Sequence, residues 1–237
     1  MKITIMGASH GVPEPHRRCS ATMIEVAGKY YFIDMGMSVM DELAARHISI
    51  NDVRAIFVTH MHGDHTNGLV PLVDLISWYY KNANPAIYLP NPAAGNLLAQ
   101  WLDMNGVPSY RADMHKVEEG VIFDDGDIKI TAIPTQHIVN SFAFLLEAEG
   151  KTVLFTGDLK NPTIDFPTVG KERETDLIIC EAAHFPTEDY IPVLSACTTK
   201  KVVVTHYITP HIAGVAALNT ALSVPVILAN DNMEITV

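Results

Sequence analysis

The chain is poor in cysteine: Cys19, Cys180 and Cys197 are its only three, and no two of them form a Cys-x-x-Cys pair. An odd, scattered set argues against a disulfide framework and fits a reducing compartment. The sequence also lacks any run of about eighteen apolar residues, so it predicts no membrane span. The opening MKITIMGASHG is typical of a first strand rather than of a signal peptide. We therefore expect a cytoplasmic protein.

Basic residues are scarce as well. Lysine and arginine number 16 against 27 aspartates and glutamates, which gives a formal net charge of −11. Such a chain repels a polyanion at long range, so extended nucleic-acid binding is disfavoured unless a local basic patch exists. Only two short basic stretches occur, His16-Arg17-Arg18 and Lys200-Lys201.

The composition otherwise resembles that of a globular enzyme, with 48% apolar and 18% charged residues over a length of 237. Apolar patterns predict strands at residues 2–6, 21–26, 30–33, 54–58, 86–89, 121–123, 128–133, 143–147, 153–155, 177–180, 202–204 and 226–228. They predict helices at residues 38–46, 68–80, 93–103, 189–196 and 212–222. Strands in both halves with helices between them favour a layered α/β or α+β protein. With no repeat or linker, we expect one domain over residues 1–237.

A cluster of histidines follows the strand at residues 54–58, in the run FVTHMHGDHTNGL. Within six positions it holds His60, His62, Asp64 and His65, and Gly63 permits a tight backbone there. Imidazole together with carboxylate favours a first-row metal ion of hydrolytic type. The alternative is a solvated polar loop whose histidines occur by chance, but their density favours the metal site. Four ligands are too few for two ions, so further ligands are expected downstream.

Three further candidates each follow a predicted strand. They are His137 in TAIPTQHIVNSF, Asp158 in VLFTGDL and His206 in VVVTHY. Ligands of open α/β folds lie at such strand ends. Any one of these residues alone would more often be an ordinary polar group, but the repeated pattern favours a shared site.

The order of these motifs resembles the motif series of the metallo-β-lactamase superfamily. The series here is THMHGDH, then a lone histidine, then TGD, then TH. The opening GASHGVPEPHRRCSATMIEV…YYFIDMG resembles the ribonuclease Z-like branch, which includes an arm-less phosphodiesterase of bacterial phosphonate breakdown. The resemblance covers nearly the whole chain. It implies an α+β fold with layered α/β architecture. The layers would form a four-layer αββα sandwich with a dinuclear metal site at one edge.

By the same resemblance, His60, His62 and His137 bind one divalent ion, and Asp64, His65 and His206 bind the other. Asp158 bridges the two ions, and Asp34, in FIDMG, lies behind the ligands and orients a ligand histidine. Zinc is the expected metal, with manganese or iron as alternatives.

Two ions sharing a hydroxide supply a nucleophile at neutral pH, because coordination lowers the pKa of water toward about 7. Such a site suits a phosphodiester, and Asp64 could also help to hold the nucleophilic water. The leaving alkoxide needs a proton, for which His184 in CEAAHFPTEDY is the candidate general acid. Related phosphodiesterases have a general-acid histidine at about this interval from the last ligand, although the local motif here differs from theirs. His10 in GASHG is the second candidate for the general acid. The alternative for His184 is an ordinary loop residue at a strand end.

Only twenty residues separate His137 from Asp158, whereas transfer-RNA-processing members of the branch carry a long arm there. This interval and the acidity favour a small cyclic or nucleotide-like phosphodiester and disfavour RNA. The phosphonate-pathway enzyme has an extra cysteine-rich zinc site, which Cys19 alone cannot supply. Alternatives are a tRNA 3′-processing endoribonuclease, a thioester, lactone or lactam hydrolase, and an iron redox protein. We expect a small anionic substrate and a homodimer.

Overall fold

The computed structural model of the protein describes residues 1–107 and 111–237, and its strands form two sheets. Within these residues the strands are β1 (Lys2–Gly7), β2 (Ala21–Val26), β3 (Lys29–Met35), β4 (Val53–Phe57), β5 (Ala86–Leu89), β6 (Asp113–Lys116), β7 (Gly120–Asp124), β8 (Ile128–Thr135), β9 (Ser141–Ala148), β10 (Lys151–Phe155), β11 (Leu177–Ala182), β12 (Val202–Tyr207), β13 (Val226–Leu228) and β14 (Met233–Thr236). The helices are α1 (Val39–Ala45), α2 (Gly63–Thr66), α3 (Leu69–Trp78), α4 (Ala94–Met104), α5 (Pro162–Asp165), α6 (Val169–Glu172), α7 (Ile191–Leu194) and α8 (Ile212–Ala221).

The two sheets have closely similar topologies. The first has the order β14-β1-β2-β3-β4-β5-β6, and the second has the order β13-β12-β11-β10-β9-β8-β7. In the first sheet the pairs from β14 to β3 are antiparallel, and those from β3 to β6 are parallel. In the second, β10 to β13 are parallel and β7 to β10 are antiparallel. Parallel strands end at the same edge, so each sheet can present several loops on one side.

Successive side chains along each strand point to opposite faces of the sheet, and this alternation produces the layers of the fold. In β3, Tyr31 points into the core between the sheets, and its neighbour Phe32 points to the helices on the outer face. Phe57 and Phe144 meet across the two sheets at a ring separation of 6.1 Å. Helices α1, α3 and α4 cover the first sheet, and α8 covers the second through Leu218. The predicted four-layer αββα sandwich is therefore confirmed.

Most predicted elements occur within a few residues of their expected bounds, but the helix at residues 189–196 is wrong in extent. A 3₁₀ turn occupies Thr187–Tyr190, and α7 covers only Ile191–Leu194. Pro192 has no amide hydrogen and fits only in a first helical turn, so the helix cannot begin earlier. Strands β6 and β14 were not predicted, because both are short edge strands with polar side chains.

One edge of the sandwich collects the carboxyl ends of β4, β8, β10, β11 and β12. Strand β8 runs in the same direction as β10, because both are antiparallel to β9. The segments that follow these strands therefore converge. No helix among the described residues combines the length and the apolar character needed to cross a bilayer. The assignment of residues 1–237 to one domain stays a prediction.

Candidate metal centre

The histidine-rich run after β4 folds as a turn followed by one short helix. His60 lies just beyond the strand, His62 is the residue before the first turn of α2, and α2 carries Asp64 and His65. His60 and His65 are buried, whereas His62 is exposed. The turn and the helix thus bring all four side chains to one side of the sheet edge.

The other candidates arrive from the second sheet. His137 lies two residues after β8, and Asp158 lies three residues after β10. His206 lies inside β12, which continues past the predicted end at Val204. The pairing with β11 shifts register around His206, whose backbone has a φ of 45°. Left-handed backbone at a residue other than glycine costs about 1–3 kcal/mol and is concentrated at functional sites.

The carboxylate of Asp158 lies at the centre of the cluster. Its Oδ2 atom is 3.2 Å from Nε2 of His206 and 3.5 Å from Nε2 of His65. The same oxygen is 3.6 Å from Nε2 of His60 and 3.7 Å from Nε2 of His137. Asp158 is 3% exposed, so this oxygen faces the imidazoles and not water.

The donor atoms of the seven predicted ligands form two groups, each within 4.8 Å, and Asp158 belongs to the first of them. In the first, Nδ1 of His62 is 2.9 Å from Nε2 of His60 and 3.3 Å from Nε2 of His137. In the second, Oδ2 of Asp64 is 3.6 Å from Nε2 of His65.

These separations fit metal coordination. A tetrahedral zinc ion with bonds of about 2.0–2.1 Å separates its ligand atoms by roughly 3.3 Å. Nε2 of His65 is buried and has no hydrogen-bond partner in the part of the chain that the structure describes. An orphaned buried nitrogen that faces two carboxylates is suited to a cation. The cluster therefore suits divalent metal ions.

Metal binding requires ionised carboxylates and neutral imidazoles, and the pKa shifts of Asp158, His60 and His137 favour those forms. Burial raises the pKa of Asp158, but the charges of His206 and His65 outweigh burial and hold that pKa well below its usual range. Burial, assisted by the charge of His65, lowers the pKa of His60 to about 2. Burial likewise lowers the pKa of His137. His65 is the exception: burial lowers its pKa, but the charges of Asp34 and Asp158 outweigh burial and raise that pKa well above the ordinary value, so a bound cation must displace a proton there.

Asp34 and Thr59 lie behind the histidines and set their tautomers. Oδ2 of Asp34 accepts a hydrogen bond from Nδ1 of His65 at 2.7 Å, and Oγ1 of Thr59 donates to the same carboxylate. Oγ1 of Thr59 is also 3.1 Å from Nδ1 of His60 and can accept its proton there. With hydrogen on Nδ1, both imidazoles keep Nε2 free for a cation. Asp34 thus contacts the ligand candidate His65, and its role in orienting that histidine stays a prediction.

His184 lies on the rim of the cluster and is held by a residue to which the sequence analysis gave no role. Both oxygens of Glu181 are 2.9 Å from Nδ1 of His184, and Oε1 of Glu181 also accepts from the amide of Leu159. Burial lowers the pKa of His184, but the hydrogen bond and charge of Glu181 outweigh burial and raise that pKa above its ordinary value of 6.5. A glutamate at a strand end, three residues before a histidine, is the signal that could have identified the pair. His184 also lies with Asp158 and His206 in a third possible ligand group.

A cleft of about 390 Å³ opens above the cluster, and the segment between β1 and β2 forms one of its walls. That wall contributes His10, Gly11 and Val12, opposite His184. The Arg17 guanidinium anchors the segment by covering the Tyr207 ring at 3.9 Å. Gly11 approaches so closely that a Cβ atom there would be 2.9 Å from Oδ2 of Asp64. His10 thus lies beside the cleft.

The sandwich and its histidine–aspartate edge define a protein of the metallo-β-lactamase superfamily, in the ribonuclease Z-like branch. The chain belongs to the family described as Anti-Pycsar protein Apyc1, whose model matches residues 1–207. The predicted superfamily and branch are confirmed, although the sequence motifs did not distinguish this family within the branch.

The comparisons with individual proteins agree with this assignment. Ribonuclease Z of Brevibacillus brevis is 30% identical over 161 residues, which are 65% of this chain and 50% of that protein. The chain spans about half the length of such curated relatives. Among solved structures, the metallo-β-lactamase fold protein YhfI from Bacillus subtilis has a TM-score of 0.80 at 17% identity, covering 99% of this chain and 98% of that one. Human tRNase Z, short form, has a TM-score of 0.76 at 22% identity, covering 100% and 99%. The ribonucleases are hydrolases by name, in agreement with the predicted enzyme class.

Proposed function

We propose that this protein is a metal-dependent phosphodiesterase that hydrolyses a small phosphodiester, cyclic or nucleotide-like in structure. The carrying observation is that His184, backed by buried Glu181, lines the same cleft as the candidate metal ligands Asp64, Asp158 and His206. Hydrolysis of a phosphodiester needs neutralisation of the phosphate charge and a proton for the leaving oxygen. A general acid beside a cation site supplies both.

We assign the ligands as two sets, with zinc as the expected metal and manganese or iron as alternatives. His60, His62 and His137 would hold one ion, Asp64, His65 and His206 would hold the other, and Asp158 would contact both. Two such ions, when bound, neutralise phosphate oxygens and lower the pKa of water toward about 7.

The other catalytic tasks would fall to individual side chains of this protein. Asp158 supplies buried negative charge, which its surrounding histidines keep ionised. Asp64, half-buried at the cleft floor, would also orient the attacking water. Glu181 favours the protonated form of His184, which would release its proton to the leaving alkoxide.

The dimensions of the cleft support a small substrate. Its volume of about 390 Å³ falls within the range of sites for single small molecules. Val12 and Ile208 give its walls apolar surface, on which a base or sugar could rest. The net charge of −11 is less of an obstacle to a small anion than to a polynucleotide, because bound ions dominate the local field.

An RNA endonuclease is the second candidate, and the similarity to ribonucleases Z favours it. The interval from His137 to Asp158 contains β9 and β10, joined by a tight turn at Glu149 and Gly150. That hairpin offers little surface with which to grip a folded RNA. We therefore rank the small phosphodiester first.

The substrate test compares classes of ester on metal-loaded protein. We expect turnover of bis-p-nitrophenyl phosphate and of cyclic nucleotides, and weak activity on a tRNA precursor, thioesters and lactams. Accurate, efficient trimming of the tRNA precursor would replace the proposal with the second candidate. Preferential thioester or lactam cleavage would assign a different hydrolase, and oxygen uptake by an iron-loaded protein would assign a redox role.

The ligand assignment is tested with a matched pair of variants. Asp158→Asn should lower both metal content and activity, because the central carboxylate loses its charge. Asp103→Asn, on the exposed face of α4, is the control and should change neither. Full metal content in Asp158→Asn, measured by mass spectrometry after gel filtration, would reject the assignment.

Cys19, Cys180 and Cys197 are all free thiols, which fits the proposed cytoplasmic location. The homodimer stays a prediction, which light scattering on the purified protein would test.

A further inference from the structure

A small cavity borders the candidate metal centre between the two sheets. Its volume is about 30 Å³, and it shares Asp158 and His206 with the open cleft. Most of the residues that line it are polar, among them Thr22, Thr59, Thr156, Thr205 and His206. A buried water needs roughly 10–15 Å³ of such space and two to four polar partners, so this cavity has room for one or two waters.

Among the described residues, one imidazole at the cavity has no hydrogen-bond partner for its Nδ1 atom. Nδ1 of His60 has Thr59 as its partner, and Nδ1 of His65 has Asp34. Nδ1 of His206 is buried and, among the described residues, makes no hydrogen bond. Yet Nε2 of His206 faces Asp158 at 3.2 Å, so a neutral His206 that binds a cation through Nε2 must carry its proton on Nδ1. That proton needs an acceptor.

The neighbouring residue has the same deficiency. Oγ1 of Thr205 is buried without a hydrogen-bond partner within the described part of the chain. Thr205 and His206 both line the cavity, so two residues with an unsatisfied polar atom adjoin one small space. Buried polar atoms in folded proteins nearly always have a protein or water partner.

We infer that the cavity is a binding site for structural water, which accepts a hydrogen bond from Nδ1 of His206 and donates one to Oγ1 of Thr205. The water fixes the tautomer of His206, just as Asp34 fixes the tautomer of His65. Thr205 is thus a positioning residue that acts on the metal centre through water and never touches the substrate. This inference rests on the proposed role of His206 as a metal ligand.

The test measures metal affinity by competition with a chelating dye, so no turnover is required. Thr205→Val keeps the shape of the side chain and removes the hydroxyl, and we expect affinity for one of the two ions to fall about 10-fold or more, as for other outer partners of metal ligands. Thr205→Ser restores the hydroxyl and should bind like the native protein. Thr4→Val is the matched control, because Oγ1 of Thr4 is also buried and has no partner in the described part of the chain, but Thr4 does not line the cavity.

A high-resolution crystal structure of the native protein provides the second readout. Ordered water in the cavity within hydrogen-bond distance of Nδ1 of His206 supports the inference, and a dry cavity overturns it. Native-like affinity in Thr205→Val, equal to that of Thr4→Val, also overturns it. If the native protein binds no metal at all, the ligand assignment fails instead, which separates the two proposals. Should Thr205→Val not fold, Thr205→Ser and the crystal structure still decide.

Discussion

Glu181 and His184 form an ion-pair geometry in which both carboxylate oxygens are 2.9 Å from Nδ1 of the imidazole. Glu181 is 2% exposed and belongs to β11, whereas His184 reaches the cleft. A buried carboxylate behind an accessible imidazole favours the imidazolium, which is the form needed to donate a proton.

His184→Ala should therefore keep its metal and slow hydrolysis in a way that depends on the leaving group. We expect roughly a 10²-fold loss for alkyl phosphodiesters, which need protonation of a poor leaving group, and a much smaller loss for p-nitrophenyl esters. Steady-state rates on the two ester series measure the difference. His115→Ala, on an exposed histidine of β6, is the control. Equal losses on both series would remove His184 from the role of acid.

Glu181→Gln should shift the pH dependence of turnover. Glu181 raises the pKa of His184 against the lowering effect of burial, so removing the charge leaves burial dominant and the pKa falls. The acid form is then lost at lower pH, and the alkaline limb of the kcat profile should move toward acid pH. Glu188→Gln, a nearby exposed substitution, should leave the limb in place. An alkaline limb that is unchanged in Glu181→Gln would contradict this account.

Gly11→Ala should weaken metal binding without altering the fold. The added Cβ atom would lie 2.9 Å from both Cγ and Oδ2 of Asp64, and the flexible carboxylate would have to move. Displacement of a ligand by even a fraction of an ångström should lower affinity for one of the two ions, which isothermal titration calorimetry can measure. Val12→Ala, in the same segment, should bind metal normally. Native affinity in Gly11→Ala would show that Asp64 tolerates the shift.

A contact far from the centre should govern acid stability. The hydroxyl of Tyr31 donates to Oδ2 of Asp125 at 2.7 Å. Burial raises the pKa of Asp125, but the hydrogen bonds from Tyr31 and two backbone amides, with the charge of Lys29, lower it overall. Because the folded pKa is depressed, this stabilisation is present above the unfolded value of about 3.9 and is lost as pH falls through the folded pKa.

Asp125→Asn should consequently cost about 1 kcal/mol of unfolding free energy at pH 7 and progressively less as acid protonates the Asp125 carboxylate of the folded protein. Urea unfolding at neutral and at acid pH measures the two costs. Asp124→Asn, the adjacent exposed residue, is the control. A cost that is equal at both pH values would show that the Asp125 charge contributes nothing.

Much of the fold and the identity of the ligand candidates could be predicted from local sequence. Alternating or continuous apolar runs mark strands, and a histidine or aspartate after a strand in a parallel sheet lies at a common edge. The sequence alone thus places His60, Asp158 and His206 in one group of ligand candidates. Edge strands such as β6 carry a weaker pattern, and Pro192 shortened a predicted helix because its ring restricts where a helix can begin.

Other features depend on contacts between segments that are distant in the sequence. Local sequence patterns do not predict such contacts. The central position of Asp158 arises because two sheets bring five imidazoles around one carboxylate. The support of His184 by Glu181, the approach of Gly11 to Asp64 and the cavity beside His206 likewise require the packed sandwich. The sequence by itself determines which residue types are present for metal binding. Their distances, their protonation and the partner of each ring nitrogen are set by burial, because desolvation and hydrogen bonding act only once the two sheets have closed on each other.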